Sequence, residues 1–465
     1  MGEGMIPLTA AMVGDVVGGD VAPNMGQRIT GVSIDSRTTR PGDLFVPLSG
    51  DHADGHTYIP QAMAAGAVAY LCAADHAGAE DAPTGGIVVD DPLDALTGLG
   101  AWIRDQVNPI VVAITGSNGK TTTKDMAAAA IGAARVTVAN PASFNNEIGL
   151  PLTLCLMTLQ TEVLVCEIGA RGKGHIASMM PILRPDVAIV TTVAWAHIGE
   201  FGSIEAIAEA KSELIQGLDT DGVAIVNADV PACLQMSAVA PGRVVTFGLT
   251  DAADVHAEQV EWDDAATATV HLDGVTVRLP RPGRHQVSNA LAALAAAREI
   301  GVDLATAAAG LANAAMSRWR MEVSVTDRGV TLVNDAYNAN PDSVIAALDT
   351  VARMQIPGRR WAVLGFMAEL GDQTGAGHLL VGAELARCGF DGVVVVEARA
   401  AGIADGAREA GFDGEIVTVV DVGEAGDAIS LRARQGDVVL VKASRSVGME
   451  RVAMALAAAH AGDGR

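Results

Sequence analysis

Aromatic side chains are scarce in this sequence, at 3% of 465 residues. Its cores must therefore be filled by Ala, Val, Leu, Ile and Met, within a hydrophobic content of 50%. Cysteine is also sparse: Cys72, Cys155, Cys166, Cys233 and Cys388 form no CxxC pair and are odd in number. That excludes a disulfide framework or a zinc ribbon and favours buried, reduced thiols. Positive charge is short too, since 31 Lys and Arg against 55 Asp and Glu leave a net charge of −24. Such a chain lacks the basic stripe that displaces counterions from nucleic acid, so general nucleic-acid binding is excluded. An anionic substrate must be met by local clusters of cations instead. The longest run of small apolar residues, Ala62–Ala74, is too short to cross a bilayer. The opening MGEGMIPLTAAMVGD has no basic region and no long apolar core, so it does not read as a signal peptide. The expectation is a cytoplasmic protein without membrane insertion, and a monomer. No GxGxxG follows any candidate strand, so the dinucleotide fingerprint is missing.

What is present divides into three segments, as the length suggests. Residues 1–108 hold short strand-like pieces (Ile29–Ile34, Asp43–Pro47, Ala67–Leu71 and Gly86–Val89) between Gly, Asp and Pro turns. Residues 109–317 alternate strands with helices: Ile110–Ile114, Glu162–Glu167, Val187–Thr192, Gly222–Val226 and Arg243–Phe247 are the strands. Near the end of this segment, Asn289–Ile300 is an Ala- and Leu-rich helix stopped by Gly301. Residues 318–465 repeat the theme with Val330–Asn334, Trp361–Leu364, Gly392–Val396, Glu415–Val419 and Val438–Val441. Such alternation predicts an α/β protein with parallel sheets covered by helices.

The strongest local signal is VVAITGSNGKTTT, residues 111–123. A β-branched strand runs into a glycine-bearing loop and then a helix. Loops of this kind cradle phosphate with backbone N–H groups, neutralise it with Lys and offer a hydroxyl to Mg²⁺. Gly119-Lys120-Thr121 supply the second half of a Walker loop, but the first glycine is Gly116 rather than residue 114, which is Ile. Two further candidates follow from position and pattern. Glu167 stands at the carboxyl end of a predicted strand, where open α/β sheets put ligands and where a carboxylate can take Mg²⁺. Lys211 lies in SIEAIAEAKSELIQGL on the apolar stripe of Ile204, Ile207, Ala208, Leu214 and Ile215, while Glu205, Glu209 and Glu213 point elsewhere. A lysine on a buried face has its amine pKa depressed. On its own it reads better as a lysine whose stem covers apolar surface.

The shortened loop resembles that of the Mur ligase family, ATP-dependent enzymes that add amino acids to the UDP-linked peptidoglycan precursor. The resemblance extends over the whole chain. Ser33-Ile34-Asp35-Ser36-Arg37 and the following RPGDLFVPLSGDHADGHTYIPQAMAAGA look like the family's UDP-binding domain. Ser143-Phe144-Asn145-Asn146-Glu147-Ile148-Gly149, NDAYNANP at 334–341, Met367-Ala368-Glu369-Leu370-Gly371 and, more loosely, Lys442-Ala443-Ser444-Arg445 are similar to the branch that uses D-alanyl-D-alanine.

From this resemblance follow the expected roles. The first segment binds the UDP precursor, the second is a P-loop ATPase-type domain, and the third is a Rossmann-like domain that closes on ATP and binds the dipeptide. ATP is expected on Gly116, Ser117, Asn118, Gly119, Lys120, Thr121 and Thr122, with Asn289 on the adenine side and Arg320 and Asp335 from the third segment. Arg318, two residues away, rivals Arg320. UDP-N-acetylmuramoyl-tripeptide and D-alanyl-D-alanine are expected on Ser33, Asp35, Ser36, Arg37, Asn145, Asn146, Glu147, Tyr337, Asn338, Asn340 and Glu369. Mg²⁺ is expected on Thr121, Glu167, His197 and a carbamate formed on Lys211. Lys120, Lys211, His197 and Glu167 are the catalytic set. Two departures from the family pattern stand out: Trp195 where a smaller or acidic residue is usual, and Phe366 where an acidic or polar one is. If that residue normally helps to hold the amine substrate, the second departure alters the amine site.

The implied reaction phosphorylates a carboxylate with ATP and then joins it to an amine, with the third segment closing to exclude water. Competing readings are weaker. The dicarboxylate motif Asp-Asn-Pro-Arg, expected of the branch that adds a third-position diamino acid, occurs nowhere. Folylpolyglutamate synthase lacks a UDP-binding domain, whereas 108 residues precede the loop segment here. A P-loop switch protein would not require NDAYNANP, and no NKxD base-reading motif is present.

Overall fold

The computed structural model describes residues 4–21, 26–50, 53–76, 84–141, 143–195 and 198–458. The first sheet has five strands. Gly31–Ser33, Asp43–Phe45, Ala69–Ala73 and Gly86–Val89 run parallel in that order, and Asp20–Val21 adds an antiparallel edge. Ser33 is the last residue of its strand, so the turn that follows leaves the carboxyl end of a parallel sheet.

The second sheet is built from β1 (Ile110–Thr115), β2 (Thr137–Ala139), β3 (Val163–Glu167), β4 (Val187–Val190), β5 (Val223–Asn227), β6 (Arg243–Gly248) and β7 (Val255–His256). Its order is β7-β6-β5-β4-β1-β3-β2. β3, β4 and β5 are buried at every position, which explains their continuous rather than alternating hydrophobicity. The helices used below are α1 (Lys120–Gly132), α2 (Ile204–Gln216) and α3 (Arg284–Glu299). Before α3 comes a three-stranded antiparallel sheet of Gln259–Trp262, Ala268–Leu272 and Val275–Arg278.

The third sheet comprises β8 (Glu322–Val325), β9 (Thr331–Asn334), β10 (Arg360–Leu364), β11 (Gly392–Val396), β12 (Glu415–Val419) and β13 (Val438–Lys442), in the order β8-β9-β13-β10-β11-β12. All its pairings are parallel except β8 with β9. Apolar clusters cover its two faces. Leu348, Val351, Leu364, Leu385 and Leu440 belong to one, and Trp361, Val394, Ile429, Val439 and Val441 to the other.

By compactness the chain divides into two units. One holds residues 1–113, 135–169 and 176–186; the other holds 114–134, 170–175 and 187–465. The nucleotide loop, α2, α3 and the whole third sheet thus share one unit. The residues 31–45 region and Glu167 share the other. Among the described residues, no helix is long and apolar enough to cross a membrane.

Candidate active site

The loop between β1 and α1 turns on two glycines, and any side chain at either position would be strained. Gly116 has φ +147°, and a Cβ there would lie 1.9 Å from the Thr191 hydroxyl oxygen. Gly119 has φ +82°, and its Cβ would lie 2.4 Å from Asn289 Oδ1. Both positions combine a backbone conformation open to glycine with a neighbour too close for a side chain. The loop is pinned from outside as well. Thr191 Oγ1 donates to the carbonyls of Asn118 (2.6 Å) and Thr115 (3.2 Å). Ser117 N–H donates to Thr192 O at 2.8 Å, and its hydroxyl exchanges hydrogen bonds with the backbone of Ala194.

Lys120 opens α1, and its Nζ reaches back to the carbonyls of Gly116 (2.7 Å) and Ser117 (3.3 Å). A cation thus lies along the loop's own backbone beside a helix N-terminus, an arrangement suited to anionic oxygens. Thr121 and Thr122 are buried. Asn289, buried on α3, accepts from Thr123 Oγ1 at 3.3 Å and donates to Gln286. Sequence reasoning starts this helix at Asn289; it begins five residues earlier, at Arg284, after Gly283 at φ +115°.

The third segment supplies partners to this same loop. Arg320 Nη2 donates to the Thr121 hydroxyl at 2.9 Å, its guanidinium lies 4.2 Å from the centre of the Tyr337 ring, and its Nε is buried without a partner among the described residues. Its rival Arg318 is exposed. Asn340 and Asn118 join their amides reciprocally, at 2.8 and 3.4 Å. Asn340 also caps the helix Pro341–Arg353 in a capping box with Ser343. Asp335 has both carboxylate oxygens engaged nearby, Oδ1 by Met321 N–H at 2.9 Å and Oδ2 by Lys442 Nζ at 2.5 Å. Asn338 is exposed and offers its carbonyl to Lys442. Glu369 is exposed at φ +64°.

Lys211 is only 3% exposed on α2, among buried Ile207, Ala210, Leu214 and Ile215. Ala208, expected on that stripe, is half-buried, and Ala210 takes its place. Burial first, and the charge of Lys120 second, bring the Lys211 amine down to about 7. No carboxylate pairs with it among the described residues. The neighbouring Cys233 thiol is pushed up to about 12 by burial. His197 lies outside the described residues. The departure at Trp195 ends in a backbone contact, its N–H donating to Asp342 Oδ2 at 3.1 Å. Phe366, the other departure, stacks on the His378 ring (centroids 5.4 Å apart), and the Arg399 guanidinium lies 4.3 Å from the centre of its ring.

In the other unit, Glu167 ends β3 with 2% exposure. Asn145 Nδ2 donates to its Oε1 at 2.7 Å, and its own N–H donates to Asn140 Oδ1. Asn146 accepts from Gly149 N–H, while Glu147 is exposed. Ser33 Oγ donates to Asp35 O, and Ser36 Oγ donates to Gln61 Oε1. Asp35 accepts from the Arg37 guanidinium (2.8 and 2.6 Å) and from the Arg37 N–H. The Arg37 guanidinium, then its N–H, hold the Asp35 carboxyl at about 2. A separate cluster, Asp54, His56 and His76, brings three potential metal-ligand atoms within 4.8 Å. Both His56 nitrogens are already engaged, Nδ1 with Asp54 and Nε2 as acceptor from Ala73 N–H. That makes it an internal hydrogen-bond network.

A parallel sheet feeding a Gly-Lys-Thr loop, with a second α/β domain meeting that loop through Arg320 and Asn340, defines a nucleotide-using protein of the three-domain ligase type. The chain belongs to the Mur ligase family. Family models match residues 28–101 (Mur ligase family, catalytic domain), 114–297 (Mur ligase middle domain) and 319–445 (Mur ligase, glutamate ligase domain). It is 38% identical to a UDP-N-acetylmuramoyl-tripeptide–D-alanyl-D-alanine ligase of Mycobacterium tuberculosis, over 98% of each chain. Its fold is similar to a crystal structure of MurF from Acinetobacter baumannii, with TM-score 0.85, 30% identity and coverage of 97% of this chain and 99% of that one. MurF from Thermotoga maritima in complex with ADP gives TM-score 0.78 at 29% identity, covering 92% and 96%.

Proposed function

We propose that this chain is an ATP-dependent, ADP-forming amide ligase that joins D-alanyl-D-alanine to UDP-N-acetylmuramoyl-tripeptide, the step that makes the pentapeptide precursor in peptidoglycan synthesis. The single observation that carries it is the convergence of Lys120, Thr121 and Arg320 at one phosphate loop, in a chain matching ligases of that name over nearly its full length. The three segments, 1–108, 109–317 and 318–465, take the UDP precursor, ATP and the dipeptide respectively. Ser33, Asp35, Ser36 and Arg37 serve the precursor.

The tripeptide's terminal carboxylate attacks the γ-phosphorus of ATP. A new P–O bond forms, the bond to ADP breaks, and an acyl phosphate results. The dipeptide amine then attacks the acyl carbon, and phosphate leaves from the tetrahedral intermediate as the amine gives up its proton. Two anions must meet in the first step, so cationic charge is the main requirement. Lys120 meets it by exchanging the carbonyls of Gly116 and Ser117 for phosphate oxygens. Arg320 adds a second cation, its Nε buried and without a partner among the described residues. Mg²⁺, when bound, polarises the phosphoryl oxygens and absorbs charge. The Thr121 hydroxyl is the hard oxygen donor we assign to it, and for Glu167 and His197 a metal role rests on the resemblance alone. A Lys211 amine brought down to about 7 is neutral in roughly half the molecules near that pH, and the neutral form can attack CO₂, forming an N–C bond and releasing a proton. The resulting carbamate supplies a further anionic oxygen.

The test is phosphate release from ATP with Mg²⁺ and UDP-N-acetylmuramoyl-tripeptide, with D-alanyl-D-alanine or a diamino acid added in parallel. Release only with the dipeptide, and a pentapeptide product by mass, is the expected result. Release with neither amine overturns the assignment of acceptor or amine and directs attention to Phe366.

A further inference from the structure

The linker that carries Arg320 is held in an unusual conformation. Trp319 and Met321, on either side of it, both adopt left-handed backbone angles, φ +59° and +47°. Neither is a glycine, so each costs energy that surrounding contacts must offset. Those contacts are specific. Trp319 N–H donates to Glu322 Oε2 at 3.0 Å, and its carbonyl accepts from Tyr337 N–H at 3.1 Å. The Arg445 guanidinium lies 4.4 Å from the centre of the Trp319 ring. Met321 N–H donates to Asp335 Oδ1. The other oxygen of Asp335 is taken by Lys442 Nζ, which also donates to Asn338 O at 2.9 Å.

Lys442 is 3% exposed at the carboxyl end of β13, and its Nζ is spent on Asp335 and on the Asn338 carbonyl. Asp335 is at the carboxyl end of the neighbouring β9 and spends both oxygens inside the third domain. We infer that Asp335 and Lys442 act as a positioning pair. Lys442 fixes the Asp335 carboxylate, the carboxylate fixes the Met321 N–H, and the linker then keeps its two left-handed residues and aims Arg320 at Thr121. Neither residue acts on the reacting atoms. Both act through Arg320, and the inference rests on the nucleotide role given to Arg320 above.

The experiment is a double-mutant cycle on the full-length protein, Lys442→Met against Arg320→Met, read as ADP affinity with a fluorescent ADP analogue. Arg320→Met and Lys442→Met each weaken binding about tenfold, and the double variant is no weaker than Arg320→Met alone. The KM for UDP-N-acetylmuramoyl-tripeptide stays within twofold, because residues 33–37 belong to the other unit. Losses that multiply in the double variant, or full affinity in Lys442→Met, overturn the positioning role. Unchanged affinity in Arg320→Met overturns the nucleotide role of Arg320 itself. Where Lys442→Met does not fold, Asp335→Asn is read in the same cycle with the same criteria.

Discussion

The nucleotide loop and the Ser33–Arg37 turn are both anion-facing candidates, yet they are built in opposite ways. The turn is local: Arg37 and Asp35 are two residues apart, and Ser33 bonds the backbone of Asp35. The loop is assembled from afar. Arg320 and Thr121 are 199 residues apart, Asn118 and Asn340 are 222, and Thr123 and Asn289 are 166. A local turn can form early and be retuned by one substitution. A long-range site forms only after several sheets have folded, so its geometry depends on the whole chain. The chemistry that must be most exact, the phosphoryl transfer proposed above, would fall to the second kind of site.

The sharpest way to test that difference is to remove the loop cation. Lys120→Ala should lower kcat by roughly 10³-fold, the scale of losing one preorganised donor to transition-state charge. Phosphate release under saturating substrates measures it, and a loss below tenfold would place the main cation elsewhere.

Lys211 tests whether burial serves chemistry at the expense of stability. Its folded value near 7 lies below its unfolded 10.5, so the native state binds fewer protons between those pH values. Stability therefore falls as pH drops from 10.5 towards 7, and the full cost is present below 7. Lys211→Leu should inactivate the ligase yet raise unfolding free energy at pH 6.5, by a few kcal/mol on the order set by such shifts. The gain should fade as pH approaches 10.5. Urea melts in CO₂-free buffer at several pH values check the sign, and destabilisation throughout would mean that the amine gains more from native contacts than burial costs it.

Asn340 has two duties, as helix cap and as partner of Asn118. Asn340→Ala should cost about 1 kcal/mol for the cap, and more if the Asn118 contact adds to it. An Asn118→Ala variant that loses no stability would show that the cap carries the effect alone.

The smallest effect belongs to the local turn. Asp35 is held at about 2 against an ordinary 3.8, so its contribution is present above about pH 4 and is lost as pH falls towards 2. Asp35→Asn should flatten melting temperature against pH in that window by only a degree or two, because Arg37 is largely exposed. A larger change would mean that this turn, too, is tied to distant structure.

Much of the α/β frame is legible in residue order. Gly86–Val89, Gly392–Val396 and Glu415–Val419 match their expected limits, Ile29–Ile34 divides into Arg28–Ile29 and Gly31–Ser33 in two different sheets, and the other anticipated strands shift by a residue or two. These strands are continuous β-branched runs bounded by turn residues, a pattern set by neighbours in sequence. The antiparallel sheet at 259–278 went unread, because its strands are short and polar: Gln259–Trp262 carries Glu261 and has three exposed positions. Thr137–Ala139 and Val255–His256 were missed for their length alone. At the site, the loop and Lys211 could be read from pattern. The engagement of Asp335 by Lys442 could not, since 107 residues separate them.

By itself the sequence determined the phosphate loop, the apolar stripe on which Lys211 lies and the family to which the chain belongs. Each depends on spacing within a few residues or on motifs in a fixed order. Only the tertiary structure decided that Arg320 rather than Arg318 meets Thr121, that Asp335 spends its oxygens on a linker and a buried lysine, and that Gly119 is required by Asn289. Those outcomes depend on how separate elements pack, and contacts between residues far apart in the chain leave no trace in local pattern.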